Sequence, residues 1–118
     1  MSEVTQTILD PDPSGRPGNC LQAAVASLLD LELDDVPHFV EHLHDWVLCL
    51  RGFAALNGYD VWRRNPDRDV PFGIATGKTV RGTHHAVVWR DGAVAWDPHP
   101  SRAGLTEVLD LYAFESRR

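Results

Sequence analysis

Three residue types occur along this chain in an order that could carry thiol-based acyl chemistry: a cysteine, a histidine and an aspartate. The cysteine, Cys20, follows Gly18 and Asn19 and opens a segment rich in alanine and leucine. A cysteine where a loop turns into a helix lies among free backbone N–H groups and at the positive end of the helix dipole. Both favour the thiolate, which is the nucleophilic form. We therefore expect Cys20 to attack an acyl carbon.

Two neighbouring histidines, His84 and His85, are candidates for the base. They open an apolar stretch that predicts a strand. Alternate residues of a strand share a face, so only one of the two histidines can face the cysteine. We favour His85, because it leads directly into the apolar strand and would be fixed in orientation. His84 is the alternative, and it can also be interpreted as a solvent-facing residue at the strand end.

Asp97 is the candidate that would orient the histidine. It ends a strand that the Asp91-Gly92 turn pairs with the histidine strand. Regular pairing places Asp97 opposite residue 86, beside His85, and a slip or bulge of one residue could place the two directly opposite. A carboxylate there would fix the imidazole tautomer and stabilise the imidazolium. His99 is a weaker candidate for either role.

A backbone amide and a side-chain amide are the expected oxyanion donors. The backbone amide would be that of Cys20, and the side-chain candidates are Gln6, ranked first, and Asn19. Gln6 lies on an extended segment that can fold back over the cysteine. Gln22 lies on the helix beyond the cysteine and is expected to point away. Cys49 lies in an apolar helical stretch, and we expect it to be a core residue.

The elements that must position these residues follow from hydrophobic spacing. Apolar residues at helical intervals predict a helix from about residue 20 to 29, and a second helical pattern runs from residue 39 to 56, ended by Asn57-Gly58. Alternation predicts strands at 59–63 and 72–77 and a hairpin at 85–96, whereas 105–114 is compatible with helix or strand. Helices followed by a strand meander predict one α+β domain over residues 1–118.

Composition narrows the functional classes. The chain has 118 residues and a net charge of −6, which argues against general affinity for nucleic acid. It has neither an apolar stretch of about 20 residues nor a signal-like start, so a cytoplasmic protein without membrane association is expected. The histidines at 38 and 42 have a helical ligand spacing, but no CxxC pair or compact zinc pattern occurs. We expect no metal and no cofactor.

The same residues resemble a known family. A cysteine opening a central helix, His-Ala-Val-Val at 85–88 and Asp97-Pro98 after the next strand are similar to papain-like cysteine peptidases. The nearest resemblance is to their small bacterial and phage branch, which is similar to the domains that process double-glycine leader peptides. It spans roughly residues 4–104. It implies that Cys20, His85 and Asp97 act as nucleophile, base and orienter, with the cysteine helix packed on a small antiparallel sheet.

The resemblance also implies an oxyanion-hole glutamine before the cysteine. In the family this glutamine lies about one short turn upstream, where this chain has Ser14, whereas Gln6 lies farther away. The expected activity is that of a cysteine peptidase or amidase, a thiol-dependent hydrolase acting on a peptide, an isopeptide or a small amide. A catalytically inactive peptide-binding module and a transglutaminase-like acyl transferase are the alternatives. A protein partner and the oligomeric state are left open.

Overall fold

The helix that carries the cysteine is the most deeply packed element of the fold. The computed structural model describes residues 1–9, 12–41 and 45–117, and in it the first helix, α1, is Cys20–Leu29, as predicted. Seven of its ten residues are buried, since the alanines at 23, 24 and 26 let neighbouring segments approach closely. The helix ends at Asp30, whose left-handed backbone lets its N–H bond the last turn.

The second helical region is shorter than predicted. Single 3₁₀ turns occur at Leu33–Asp35 and Phe39–Glu41, and the second helix, α2, is Trp46–Leu56. The predicted continuous helix from residue 39 also included residues 42–44, which lie outside the described residues. On α2, Leu50 and Ala54 are buried whereas Leu48 and Leu56 are exposed, so the helix presents a narrow apolar face to the core.

Five antiparallel strands form one sheet, and together with the helices they confirm an α+β domain. The strands are β1 (Tyr59–Arg64), β2 (Phe72–Lys78), β3 (His84–Arg90), β4 (Ala93–Trp96) and β5 (Glu107–Ser116). Their order is β1-β5-β2-β3-β4. The predicted meander is therefore wrong, because the last strand inserts between β1 and β2 instead of adding at an edge.

β5 is central because its apolar residues are consecutive. Leu111 to Phe114 are all buried, with Tyr112 and Phe114 in the core cluster beneath the helices and Leu111 and Ala113 in a second cluster on the opposite face. A strand covered on both faces lacks alternation, which is why its sequence is compatible with helix or strand. Within the described ranges, no helix is long and apolar enough to cross a membrane.

Candidate active site

Cys20 is the first residue of α1 and is partly exposed. The first intrahelical bond is donated by Ala23 to the carbonyl of Asn19, so the amides before it have no partner within the helix. The Cys20 residue lines a cavity of about 310 Å³. The cavity walls are mainly apolar and come from both helices and the sheet: Pro17, Gly18, Leu21, Val40, Trp46, Thr76, His84, His85, Ala86, Asp110 and Tyr112.

His85 and Asp97 form a buried pair beside the cysteine. The Nε2 atom of His85 lies 2.6 Å from Oδ1 of Asp97, and each side chain is 3% exposed. The Cys20 side chain lies close enough to the imidazole to raise its pKa, and both residues line the same cavity. Because Nε2 is engaged by Asp97, Nδ1 is the ring nitrogen left for Cys20. The structure thus brings all three candidate residues into one chain of contacts.

An irregularity in the β3–β4 hairpin sets the side of the sheet on which Asp97 lies. Trp89 pairs with Val94, whereas Val88 pairs with Trp96, so Ala95 is an extra residue in β4. Extending this register would place residue 97 opposite residue 87, on the same face as residue 85. Asp97 was expected opposite residue 86, or opposite His85 after a slip or bulge, whereas the observed bulge moves the register by one residue in the other direction. Asp97 itself follows the end of β4 and reaches the imidazole with its side chain.

The loop after β4 wraps the Asp97 carboxylate. Oδ1 accepts a hydrogen bond from the backbone N–H of His99 at 2.9 Å, and Oδ2 accepts one from that of Gly104 at 2.7 Å. Burial raises the pKa of Asp97, but the hydrogen bonds from His85 and from these two amides outweigh burial and lower it to about 2. Asp97 is therefore a carboxylate throughout the physiological range.

The same contacts favour the imidazolium form of His85. Burial lowers the pKa of His85, but the hydrogen bonds and negative charges of Asp97 and Cys20 outweigh burial and raise it from 6.5 to about 9. An imidazolium beside a cysteine at a helix N-terminus is the setting in which thiolates are stabilised. The arrangement therefore keeps His85 protonated at neutral pH beside the side chain of Cys20.

The side-chain hydrogen bonds of Asn19 have a structural role. Its Oδ1 accepts hydrogen bonds from the backbone N–H groups of Thr7 and Ile8, at 3.0 and 2.8 Å. Its Nδ2 donates to Thr7 Oγ1 at 3.0 Å and to Gln22 Oε1 at 3.3 Å. Both amide protons therefore have acceptors, and an oxyanion would have to displace one of them. Asn19 instead ties the N-terminal segment to the start of α1.

Gln6 lies on that tethered segment and is 6% exposed. Its backbone N–H donates to the carbonyl of Pro98 at 3.0 Å, next to Asp97, and its Nε2 donates one proton to Ile8 O at 2.8 Å. Ile8 O also accepts the N–H of Asn19, the residue before the cysteine. The Oε1 atom is buried and has no partner among the residues described. The structure therefore places Gln6 near the start of α1 with a second amide proton to donate.

The remaining candidates lie around this centre. His84 is exposed and lines the cavity without joining the bonded chain. His99 presents its ring to the His85 ring at 6.0 Å between centroids, and its Nδ1 is bonded to Ser101. Cys49 packs partly buried against the core. His42, which has a helical ligand spacing from His38, lies outside the described residues.

Sequence reasoning missed the residues that hold the Asp97 loop. Arg102 donates through Nη1 to the carbonyls of Asp97 and His99, at 3.1 and 2.8 Å, and Gly104 supplies an amide to the carboxylate. Gly104 has a φ of +73°, so a glycine shortly after Asp97-Pro98 is a turn signal that could have marked this loop. Nothing in the local sequence distinguishes Arg102 from the other arginines.

No protein-family model, curated protein or solved structure matches this chain. The functional assignment therefore depends on the site itself: a partly exposed cysteine at a helix N-terminus, beside a buried histidine that is hydrogen-bonded to an aspartate.

Proposed function

We propose that this chain is a thiol-dependent acyl hydrolase of the papain-like type, acting on a peptide, an isopeptide or a small amide. The observation that carries the proposal is the position of His85 between two partners: Asp97 on Nε2, at 2.6 Å, and Cys20, which lines the same cavity as the imidazole and raises its pKa. A nucleophile, a base and a group that orients the base are the three components of covalent acyl transfer. Here the three come from separate elements, and Cys20 and His85 line one cavity while Asp97 contacts His85.

In the proposed reaction, the Cys20 thiolate attacks the acyl carbon and forms a C–S bond. The His85 imidazolium then gives its Nδ1 proton to the leaving amine as the C–N bond breaks, which leaves a thioester on Cys20. His85, now neutral, takes a proton from a water molecule, whose oxygen attacks the thioester. The C–S bond then breaks with its electron pair going to sulfur, and the acid leaves. This restores the Cys20 thiolate beside the His85 imidazolium, which holds the proton taken from water. Asp97 holds the ring by Nε2 in both halves of the reaction.

The oxyanion would be bound by the backbone amide of Cys20 and by Gln6. The Cys20 amide lies at the open start of α1, and no acceptor for it is found within residues 1–9, 12–41 and 45–117. Gln6 is favoured over Asn19 because it retains an amide proton, whereas both protons of Asn19 are used. We therefore expect Gln6→Ala to raise the activation free energy of acylation by more than it lowers the free energy of unfolding.

The volume of the cavity supports the proposal of a small substrate. At about 310 Å³ it is at the lower end of the range for ligand pockets, which matches one or two amino-acid residues around a scissile amide. The apolar side chains of Leu21, Val40 and Trp46 form one wall, and Tyr112 lies on the sheet side. These groups would hold an apolar side chain next to the amide that Cys20 attacks.

The test is the rate of iodoacetamide alkylation from pH 5 to 10, mapped to each cysteine by mass spectrometry. We expect Cys20 to react rapidly below the pKa of about 8.5 of a free thiol, while Cys49 provides an internal comparison in the same molecule. Cys20→Ala should also abolish release of fluorophore from a mixture of short peptidyl amides, whereas Cys49→Ala should retain it.

Two results would contradict the proposal. A Cys20 that titrates like an ordinary thiol would favour a catalytically inactive binding module. Loss of turnover in folded Cys49→Ala, as complete as that in Cys20→Ala, would show that the nucleophile is misassigned. Circular dichroism of both variants distinguishes lost chemistry from lost folding.

A further inference from the structure

Arg102 connects three parts of the chain that meet behind the candidate site. Its Nη1 donates to the carbonyls of Asp97 and His99, and its Nη2 donates to Thr5 Oγ1 at 2.8 Å. Its guanidinium carbon lies 4.1 Å from the centroid of the Trp96 ring, within cation–π distance. A planar fork of donors stacked on an aromatic ring has a fixed direction, which a lysine cannot reproduce.

The contacts of Arg102 belong to a larger set of hydrogen bonds that join the N-terminal segment to the Asp97 loop. The indole N–H of Trp96 donates to the carbonyl of Val4 at 2.8 Å, and the backbone N–H of Gln6 donates to the carbonyl of Pro98 at 3.0 Å. The Thr5–Arg102 bond lies between these two in sequence. Three consecutive residues of the N-terminal segment thus bond to the strand end and loop that present Asp97.

We propose that Arg102 is a positioning residue that holds the Asp97 loop and the Gln6 segment in register with each other. The inference rests on the proposed function, since it gives Arg102 a role in a thiolate–imidazolium site. Arg102 donates to the backbone carbonyls of Asp97 and His99 at 3.1 and 2.8 Å, so it acts on the base through Asp97. Without the guanidinium group of Arg102, the loop amides of His99 and Gly104 would hold the Asp97 carboxylate less firmly opposite Nε2 of His85.

Charge alone predicts the opposite effect, which makes the two explanations separable. The groups around the His85 imidazole are Asp97, Cys20 and the ring of His99, with Arg81 and Arg102 acting on His99 from farther out. Removing a cation from this neighbourhood would favour the imidazolium and raise the pKa of His85. Loosening Asp97 would instead lower that pKa, because burial would be less well compensated.

The experiment compares wild type with Arg102→Ala, Arg102→Lys and the control Arg81→Ala, which removes a contact to the same loop through Ser101 Oγ. The readout is carboxymethylation of Cys20 by iodoacetate from pH 5 to 11. Iodoacetate is an anion that the imidazolium attracts, so the rate of carboxymethylation falls at high pH as His85 loses its proton. This fall is the upper limb of the pH–rate profile, and its midpoint reports the pKa of His85. Thermal unfolding followed by circular dichroism monitors the fold of each variant.

We expect the upper limb of Arg102→Ala and Arg102→Lys to shift down by about one pH unit, with that of Arg81→Ala unchanged. An upper limb that stays in place in both Arg102 variants, or that rises in Arg102→Ala and stays in Arg102→Lys, would overturn the inference. If neither Arg102 variant folds, Thr5→Val, which removes only the Nη2 acceptor, decides in the same way. A wild type without rapid Cys20 labelling would instead refute the proposed function.

Discussion

Replacing Asp97 by asparagine tests the electrostatic basis of the site most directly. In the native structure, Oδ1 accepts bonds from His85 and from the His99 amide, while Oδ2 accepts the Gly104 amide at 2.7 Å. An asparagine that keeps its oxygen toward His85 must turn its NH₂ group toward the Gly104 N–H, where two donors meet. Asp97→Asn therefore removes the charge partner of the imidazolium and leaves the partly buried Gly104 amide without an acceptor.

The magnitude follows from the pKa of His85, which is about 9 in the folded protein against 6.5 for the ordinary group. Since the folded pKa lies above the unfolded value, His85 contributes stability that is complete below pH 6.5 and is lost as the pH rises through 9. At about 1.4 kcal/mol per pH unit, this contribution is at most about 3 kcal/mol, of which Cys20 supplies part.

The assay is urea unfolding followed by tryptophan fluorescence between pH 5.5 and 9.5. In wild type, the free energy of unfolding should fall across pH 6.5 to 9. In Asp97→Asn it should start about 3 kcal/mol lower at pH 6, of which about 1 kcal/mol comes from the unpaired Gly104 amide, and should fall much less over the same interval, because only Cys20 still raises the pKa of His85. The unpaired Gly104 amide contributes to the lower value at every pH.

The same variant changes reactivity. At pH 8, a pKa of about 9 leaves about 90% of His85 protonated, whereas 6.5 leaves about 3%, a change of roughly 30-fold in the imidazolium population. Alkylation of Cys20 by iodoacetate should fall by up to that factor. Equal pH dependence of stability in wild type and Asp97→Asn, together with equal alkylation rates, would refute the conclusion that Asp97 maintains the imidazolium.

Two further substitutions test the packing that positions the site. Gly77→Ala should destabilise the protein by about 1–3 kcal/mol in urea unfolding, because a Cβ at residue 77 would overlap the backbone carbonyl of Glu107 on β5. Gly92→Ala, at a turn glycine whose Cβ would meet nothing, shows the cost of backbone conformation alone, and an equal loss there would count against the packing explanation. Asn19→Ala should cost about 2–4 kcal/mol, since two backbone N–H groups of the N-terminal segment lose their acceptor. Its Cys20 should also react more slowly with iodoacetamide, and an unchanged rate would show that the segment does not support the site.

Local patterns were sufficient for the elements that carry the three central residues. The spacing of Leu21, Val25 and Leu28 predicted a helix from the cysteine onward, since apolar residues at helical intervals leave one buried face in any fold. The Asp91-Gly92 pair predicted the hairpin, because both residues adopt positive φ in the turn, 53° and 83°. The segment that forms β5 could not be assigned as strand or helix from its sequence, because the alternation of apolar and polar residues disappears when both faces of a strand are buried.

Register was beyond what the hairpin sequence could determine. Ala95 contains nothing that marks it as a bulge, yet the extra residue decides which face Asp97 occupies. Regular pairing would have placed Asp97 on the face of Ala86, away from the imidazole. The loop that follows the bulge is held by Arg102, which also bonds Thr5, a residue far away along the chain.

Residue types and helical periodicity are local properties, so the amino-acid order alone identified the chemical groups present and the helix that begins at the cysteine. Folding was needed to establish that β5 inserts between β1 and β2, that His85 rather than His84 pairs with Asp97 beside Cys20, and that the N-terminal segment packs against the Asp97 loop. These contacts join residues distant along the chain. Their geometry follows from packing and from the satisfaction of buried polar groups, which no short stretch of sequence specifies.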